Sequence, residues 1–160
     1  MIPALIRLLT GVQARWVGVE PIQPDGSLPQ RIYFANHRSN LDAPVIWASL
    51  PRELRRVARP VAAQDYWERG LIRRTLSQRV FHCVLIERKR ITHHHNPLAP
   101  MSAALESGSS LIIFPEGTRG TNDGDGLAEF KSGLFHLAKD FPRVQLVPVY
   151  LENLNRILPK

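Results

Sequence analysis

The segment RIYFANHRSNLD, residues 31–42, joins a short apolar run to a polar turn and indicates where a strand ends and a helix begins. Residues 31–35 read as a buried strand, and residues 43–50 carry the pattern of a helix. Pro44 disfavours helical geometry at the residue before it, so Asp42 and Ala43 are expected at or before the helix start. The segment therefore predicts a strand, a turn and a helix in succession.

Two side chains of this turn, those of His37 and Asp42, suit a general base and the group that orients it. Imidazole titrates near neutral pH and can accept a proton from an attacking hydroxyl, while a carboxylate on its other nitrogen fixes the tautomer. Residues five apart on one helix point to different faces, so the pair must lie on the turn to meet. We predict that the pair is catalytic without a Ser or Cys nucleophile. The structural alternative is that Asn40 or Asp42 is only a helix N-cap and His37 a hydrogen-bonded loop residue.

Length and composition predict a single globular domain. The 160 residues, 44% of them hydrophobic, are enough for one core. The single cysteine, Cys83, excludes an internal disulfide, and its apolar neighbours predict a buried strand thiol. A reducing compartment is compatible with this composition.

The formal charge of +7 is concentrated in one span. Residues 52–90 hold eleven Lys or Arg and four acids, whereas the rest of the chain holds ten of each. Such a patch suits an anionic membrane surface, a phosphorylated substrate or nucleic acid, and a solvated basic face is the alternative. The sequence carries no zinc knuckle or RNA-recognition signature, so no nucleic-acid partner is expected.

The first sixteen residues follow a helical pattern that suits a membrane interface. One helical face would carry Ile2, Leu5, Ile6, Leu9 and Val12. A helix packed on the domain core is the alternative. The sequence has no uncharged window of about 18 apolar residues, so no segment is predicted to span a bilayer alone. We assign residues 1–19 to an amphipathic N-terminal segment and residues 20–160 to the main domain.

Apolar runs alternate with helical patterns along the rest of the chain. A proline-rich loop at 20–30 precedes the first strand, and further strands are predicted at 56–63, 80–86, 111–114 and 144–151. Helices are predicted at 66–78, capped by Asp65, and at 98–105. A further predicted helix carries Lys131 and has one face formed by Phe130, Leu134, Leu137 and Ala138. Pro60 indicates an edge or a bulge, and Pro148 an interruption. The alternation predicts an α/β fold with a mostly parallel sheet flanked by helices.

A second polar motif follows the strand predicted at 111–114. Residues 115–120, PEGTRG, place an acid, a hydroxyl and a guanidinium beside two glycines that let the backbone approach a ligand. Open α/β sheets bind ligands outside such strand ends. The histidine run at 93–95 has no Cys or acid at ligand spacing, so no metal site is expected.

With both motifs in view, the chain resembles the glycerophospholipid acyltransferases, most closely the 1-acylglycerol-3-phosphate (lysophosphatidic acid) acyltransferases, over most of its length. NHRSNLD, residues 36–42, matches the family motif of His, four residues and Asp, and FPEGTR, residues 114–119, matches the second signature. VLIER, residues 84–88, is similar to the block that binds the acceptor phosphate, and VPVY, residues 147–150, to the block linked to the acyl donor. The resemblance implies a glycerolipid acyltransferase-like fold.

By this resemblance, His37 is the catalytic base and Asp42 orients it. The implied substrate-binding residues are Arg88, Glu116, Gly117, Thr118, Arg119 and Lys131, with Pro148 on the acyl-donor side. The two arginines suit a phosphate because a guanidinium offers a planar, two-pronged set of donors. Glu116 either binds acceptor hydroxyls or holds Arg119, and backbone amides at a glycine-bearing turn suit the oxyanion.

The implied reaction moves a fatty acyl group from acyl-coenzyme A or acyl carrier protein directly to the free hydroxyl of lysophosphatidic acid. The product is phosphatidic acid, an intermediate of phospholipid biosynthesis. No covalent acyl-enzyme is expected, and no cofactor other than the acyl donor as co-substrate. The implied partners are the lysophospholipid, the acyl donor and a membrane surface, which implies a peripheral location on the cytoplasmic face of the membrane.

Two departures from the family pattern leave alternatives open. Family members commonly carry glycine where His82 stands, which leaves open the same chemistry on glycerol-3-phosphate, another lysophospholipid or an amino-acid-containing lysolipid. The chain also stops at Lys160, soon after the fourth block, whereas family domains usually continue through a further strand and helix. Both a fragment and a short family member fit this length.

Overall fold

The computed structural model describes residues 1–87, 96–118 and 128–154. Its strands are β1 (Arg31–Ala35), β2 (Ala58–Ala63), β3 (Val84–Ile86), β4 (Ser110–Ile113) and β5 (Gln145–Val149). Its helices are α1 (Ile2–Thr10), α2 (Asp42–Ser49), α3 (Arg52–Val57), α4 (Gln64–Trp67), α5 (Leu71–Thr75), α6 (Leu98–Glu106) and α7 (Gly133–Asp140), with a π-helical turn at Leu76–Val80 after α5. Every strand pairing in these ranges is parallel, in the order β3-β2-β4-β1-β5, which confirms the predicted α/β fold.

Side chains of the strand β1 alternate between two apolar cores, one on each face of the sheet. Tyr33 belongs to the core that contains Trp47 of α2. Ile32 belongs to the other core, with Met101 of α6 and Leu137 of α7. The period of two along a strand separates the two sets. Because helices cover both faces, the strand ends are left for a ligand.

Arg31 begins β1 with a fully buried side chain. Its Nη1 donates to the carbonyl of Pro21 (2.8 Å), its Nη2 to the carbonyl of Glu20, and its Nε to Oε1 of Gln145 (3.1 Å). The guanidinium carbon also lies 5.7 Å from the centre of the Trp16 ring. A buried charge is tolerated only when its donors are matched. Arg31 therefore ties the proline-rich loop to β1 and β5.

The N-terminal helix is shorter than predicted. It ends at Thr10 because Gly11 adopts a left-handed conformation (φ 61°), so the expected continuation toward residue 16 was wrong. One face packs on the domain, where Ile6 contacts the core and Arg7 Nε donates to the carbonyl of Ala48 at 2.7 Å. The exposed face carries Leu5, Leu8 and Leu9. None of the helices in the described ranges combines the length and the apolar composition that crossing a bilayer requires.

Positive backbone angles shorten the elements predicted between residues 66 and 86. Gly70 (φ 87°) divides the predicted helix into α4 and α5, and Asp65 lies inside α4 rather than at its N-cap. The strand predicted at 80–86 is reduced to β3, because the π-helical turn precedes it and His82 has φ 48°. A positive φ fits neither a helix nor a strand. The extents of these two elements were therefore predicted wrongly.

Pro60, Pro148 and Lys131 also lie in surroundings that differ from the predictions. The strand β2 follows α3, a helix that was not predicted. β2 lies inside the sheet rather than at its edge, and Pro60 is accommodated there because β3 pairs with β2 only from Val61 onward. Pro148 does not interrupt β5, because β5 lies at the edge of the described sheet. Lys131 precedes α7 rather than lying on it.

We expect Arg31→Ala to lower the free energy of unfolding by roughly 3 kcal/mol, because the packing of a fully buried side chain and its three charge-assisted hydrogen bonds are lost. In thermal denaturation this corresponds to a fall in Tm of roughly 6–12 °C. Arg56→Ala, which truncates an exposed arginine of α3, is the control and should shift Tm by less than about 2 °C. An Arg31→Ala protein with the wild-type Tm would contradict the role given to this side chain.

Candidate active site

Parallel pairing of β1 with β4 brings two loops together at the carboxyl end of the sheet. Phe34 pairs with Ile113, so the residues that follow each strand begin side by side. The ring of His37, in the turn after β1, stacks on the ring of Phe114, after β4, with centroids 4.2 Å apart and planes inclined by 22°. Two motifs that are distant in sequence thus form one site.

The predicted acid–base pair is formed. His37 Nδ1 lies 2.8 Å from Asp42 Oδ2, and the side chains are 22% and 1% exposed. When Nδ1 carries the proton and donates a hydrogen bond to the carboxylate, Nε2 carries the lone pair and can accept a proton. The arrangement supplies a base oriented by a buried carboxylate.

The backbone of the turn holds Asp42 in place. Its Oδ2 also accepts hydrogen bonds from the amides of Arg38 (2.7 Å) and Ser39 (2.8 Å). The other oxygen, Oδ1, is buried and has no hydrogen-bond partner within the described ranges. Leu41 occupies the N-cap of α2, so the alternative in which Asn40 or Asp42 only caps the helix was wrong. The helix begins at Asp42 as expected, but Ala43 lies inside it despite the following proline, so the placement of Ala43 before the helix was wrong.

Glu116 connects the second loop to the turn that carries His37. Its Oε1 accepts a hydrogen bond from the backbone amide of His37 at 3.3 Å, and the residue is only 7% exposed. The sequence analysis assigned Glu116 to acceptor hydroxyls or to Arg119. The contact with the His37 backbone shows that Glu116 also positions His37, while its assignment to acceptor hydroxyls or to Arg119 stays a prediction.

A cleft of about 860 Å³ opens beside His37. Its walls are mostly apolar and include Val61, Trp67, Phe81, Met101 and Leu134. Its polar lining includes Asn40, Thr118 and Lys131. A largely apolar cavity of this size with a few polar groups is typical of small-molecule sites. The apolar walls beside a base suit a substrate with a hydrocarbon chain and a reactive polar head.

Gly117 leaves room for Lys131 at this cleft. The glycine has φ 72°, and a Cβ placed on it would lie 2.7 Å from both Cε and Nζ of the lysine. The Lys131 amide donates to the carbonyl of Pro115 at 2.9 Å, which holds the lysine over the loop. The Gly117 amide donates to the carbonyl of Phe114 at 2.9 Å, so it is engaged within the turn rather than directed at an oxyanion.

The other predicted site residues divide into two groups. Arg88 and Arg119, the expected phosphate ligands, and the histidines at 93–95 lie outside the described residues. Pro148 is exposed on β5 and is not among the residues that line the cleft, so the structure does not bring it to the base. No cluster of three His, Cys, Asp or Glu that could hold a metal ion occurs in the described parts of the chain.

The structure shows the positions of His82 and Cys83, the two residues that precede β3. His82 has an exposed side chain and φ 48°, a conformation that suits glycine, so its departure from the family pattern concerns the backbone rather than the cleft wall. Cys83 lines the cleft just ahead of β3, so the prediction that it lies within the strand was wrong. Burial raises the pKa of its thiol to about 12, which keeps it protonated and unreactive at neutral pH.

Two further contacts of the site were not found from the sequence either. The side-chain amide of Asn36 donates to the carbonyl of Leu151 and accepts from its amide, both at 2.8 Å, which fastens the turn after β1 to the chain after β5. The other contact is the stacking of Phe114 on His37. Both residues stand within recognised motifs, but their partners are far away in sequence.

Comparison with known protein families matches residues 17–152 to the family described as Acyltransferase. Over 91% of its length the chain is 29% identical to the 1-acyl-sn-glycerol-3-phosphate acyltransferase of Haemophilus influenzae. Over 89% it is 30% identical to the protein of that name from Cocos nucifera. The chain spans 65% and 45% of the lengths of these two relatives.

Among solved structures, the 1-acyl-sn-glycerophosphate (LPA) acyltransferase of Thermotoga maritima is similar in fold, with a TM-score of 0.54. The two chains are 21% identical, and the match covers 84% of this chain and 56% of the other. This likeness supports the arrangement of strands and helices described above.

Proposed function

The chain belongs to the acyltransferase family, and from this premise we propose that it moves a fatty acyl group from an acyl thioester to the free hydroxyl of lysophosphatidic acid. The product would be phosphatidic acid, for phospholipid biosynthesis. The names of the two curated relatives support this acceptor. The observation that carries the proposal is the contact of 2.8 Å between His37 Nδ1 and Asp42 Oδ2 beside an apolar cleft.

In this mechanism His37 Nε2 removes the proton from the acceptor hydroxyl. The oxygen attacks the thioester carbonyl, the carbon–sulfur bond breaks, and the departing thiolate takes the proton from the imidazolium. Asp42 stabilises the imidazolium between these two proton transfers. Because the hydroxyl attacks directly, no acyl group is attached to the protein.

We assign the acceptor phosphate to three cationic side chains, those of Lys131, Arg88 and Arg119. The ammonium of Lys131 lies over Gly117 at the cleft and supports this assignment. Arg88 and Arg119 are proposed as further phosphate ligands on the strength of the matched motifs. Guanidinium and ammonium groups form charge-assisted hydrogen bonds with phosphate oxygens.

The proposed acyl donor is acyl-coenzyme A or acyl carrier protein, with no further cofactor. Both donors are anionic, which agrees with the excess of seven positive charges. Both are also cytoplasmic, so we place the protein on the cytoplasmic face of the membrane as a peripheral protein. The exposed leucines of α1, Leu5, Leu8 and Leu9, support contact with lipid.

We expect His37→Ala to lower the rate of transfer from labelled oleoyl-coenzyme A to lysophosphatidic acid roughly 10³-fold, because the general base is lost. The Tm should stay within about 2 °C of wild type, since the residue lies on a turn. His82→Gly is the matched control, because this exposed histidine has a backbone conformation that suits glycine. Full transfer by His37→Ala would refute the base assignment.

A panel of acceptors tests the substrate in the same assay. Folded wild-type protein that acylates glycerol-3-phosphate or an amino-acid-containing lysolipid, but not lysophosphatidic acid, would refute the proposed acceptor while leaving the chemistry intact.

We expect Gly117→Ala to raise the KM for lysophosphatidic acid about tenfold, because the added Cβ displaces the Lys131 ammonium from the cleft. Gly26→Ala is the control: Gly26 has a comparable φ of 79° but no atom within 4 Å of the added Cβ. Steady-state kinetics with lysophosphatidic acid and with a monoacylglycerol, which lacks phosphate, should show the effect only for the first. Equal effects on both acceptors would contradict a phosphate contact by Lys131.

A further inference from the structure

The segment RGLIRR, residues 69–74 and here named the basic tip, is exposed throughout. Leu71 and Ile72 lie at its centre with 84% and 78% of their surface accessible. Single exposed leucines are ordinary on a protein surface, but two adjacent large aliphatic side chains at this exposure form a patch. The basic tip therefore presents apolar area that the domain itself does not cover.

The fold does not need these two side chains. No residue of α5 is buried, whereas the following π-helical turn contributes Leu76 and Val80 to the core beside α2. Polar residues at positions 71 and 72 would therefore leave the π-helical turn anchored in the core. The apolar character of the tip is thus available for a partner.

The charges of the basic tip indicate what kind of partner it fits. Arg69, Arg73 and Arg74 flank the aliphatic pair. An aliphatic centre with an arginine rim matches the interface of an anionic bilayer, in which hydrocarbon lies just below phosphate. Nucleic acid would engage the arginines and leave the two aliphatic side chains in water.

The basic tip is also continuous with the cleft. The guanidinium of Arg73 lies 4.5 Å from the centre of the Tyr66 ring, and Tyr66 and Trp67 both line the cleft. A bilayer that contacts the tip would therefore lie close to the cleft wall. A lipid acceptor could then pass from the bilayer to the cleft over a short path.

We propose that the basic tip docks on an anionic membrane, with Leu71 and Ile72 inserted among the lipid chains and the arginines at the phosphates. This contact is separate from the contact of α1 with lipid. The inference rests on the proposed function, because the purpose of the contact is to deliver lipid to the cleft. The partner that binds the basic tip is the surface of the bilayer.

The test is co-sedimentation of the full chain with phosphatidylcholine vesicles that contain phosphatidylglycerol, and with vesicles of phosphatidylcholine alone. Leu71→Ser/Ile72→Ser should lower the partition coefficient on anionic vesicles roughly tenfold, with an unchanged Tm. Arg69→Gln/Arg74→Gln should lower it roughly 20-fold on anionic vesicles only. Two variants serve as matched controls, Phe135→Ser for exposed apolar surface and Arg52→Gln/Arg56→Gln for charge, and each should cost less than about threefold.

Wild-type partition by the Leu71→Ser/Ile72→Ser protein would overturn the proposal. It would also be overturned if the arginine variant lost binding to a DNA duplex but kept its binding to vesicles. The assay contains no acyl donor, so it separates the two proposals. Tip-dependent vesicle binding without acyl transfer would refute only the proposed function, whereas transfer to detergent-dispersed lysophosphatidic acid without tip-dependent binding would refute only the tip.

Discussion

Parallel pairing of β1 with β4 is the constraint on which the site depends. Neighbouring parallel strands end at the same edge of a sheet, so the residues after Ala35 and after Ile113 enter one space. A slip of one residue would reverse the faces of β1 and separate His37 from Phe114. The two apolar cores hold this register. Buried side chains far from the turn therefore determine the geometry of the His37 and Asp42 pair.

The spacing of four residues between His37 and Asp42 has a physical reason in this geometry. A buried carboxylate is unfavourable unless donors surround it, and the residues between the pair supply two of them, the amides of Arg38 and Ser39. The imidazole supplies the third. Glu116 then fixes the backbone of the histidine. An imidazole held in this way needs little rearrangement for the proton transfer that we propose.

The sequence predicted the features that local patterns encode. The strand β1, the turn and the meeting of His37 with Asp42 follow from one segment with its own strand, turn and helix signals. The break at Gly70 was missed because a glycine within a helical pattern does not by itself reveal its backbone angle. The contacts of Asn36 with Leu151 and of Phe114 with His37 depend on strand order, which no local pattern specifies.

The central claim is that the Asp42 carboxylate makes His37 a base, and Asp42→Asn tests it most directly. An asparagine oxygen can still accept the amides of the turn, so a purely structural role would survive, while the charge that stabilises the imidazolium would be lost. The measurement is kcat for transfer from oleoyl-coenzyme A to lysophosphatidic acid, with Tm as the check on folding. We predict that kcat falls by about 10³-fold or more while the fold persists. A kcat within about tenfold of wild type would show that Asp42 only shapes the turn.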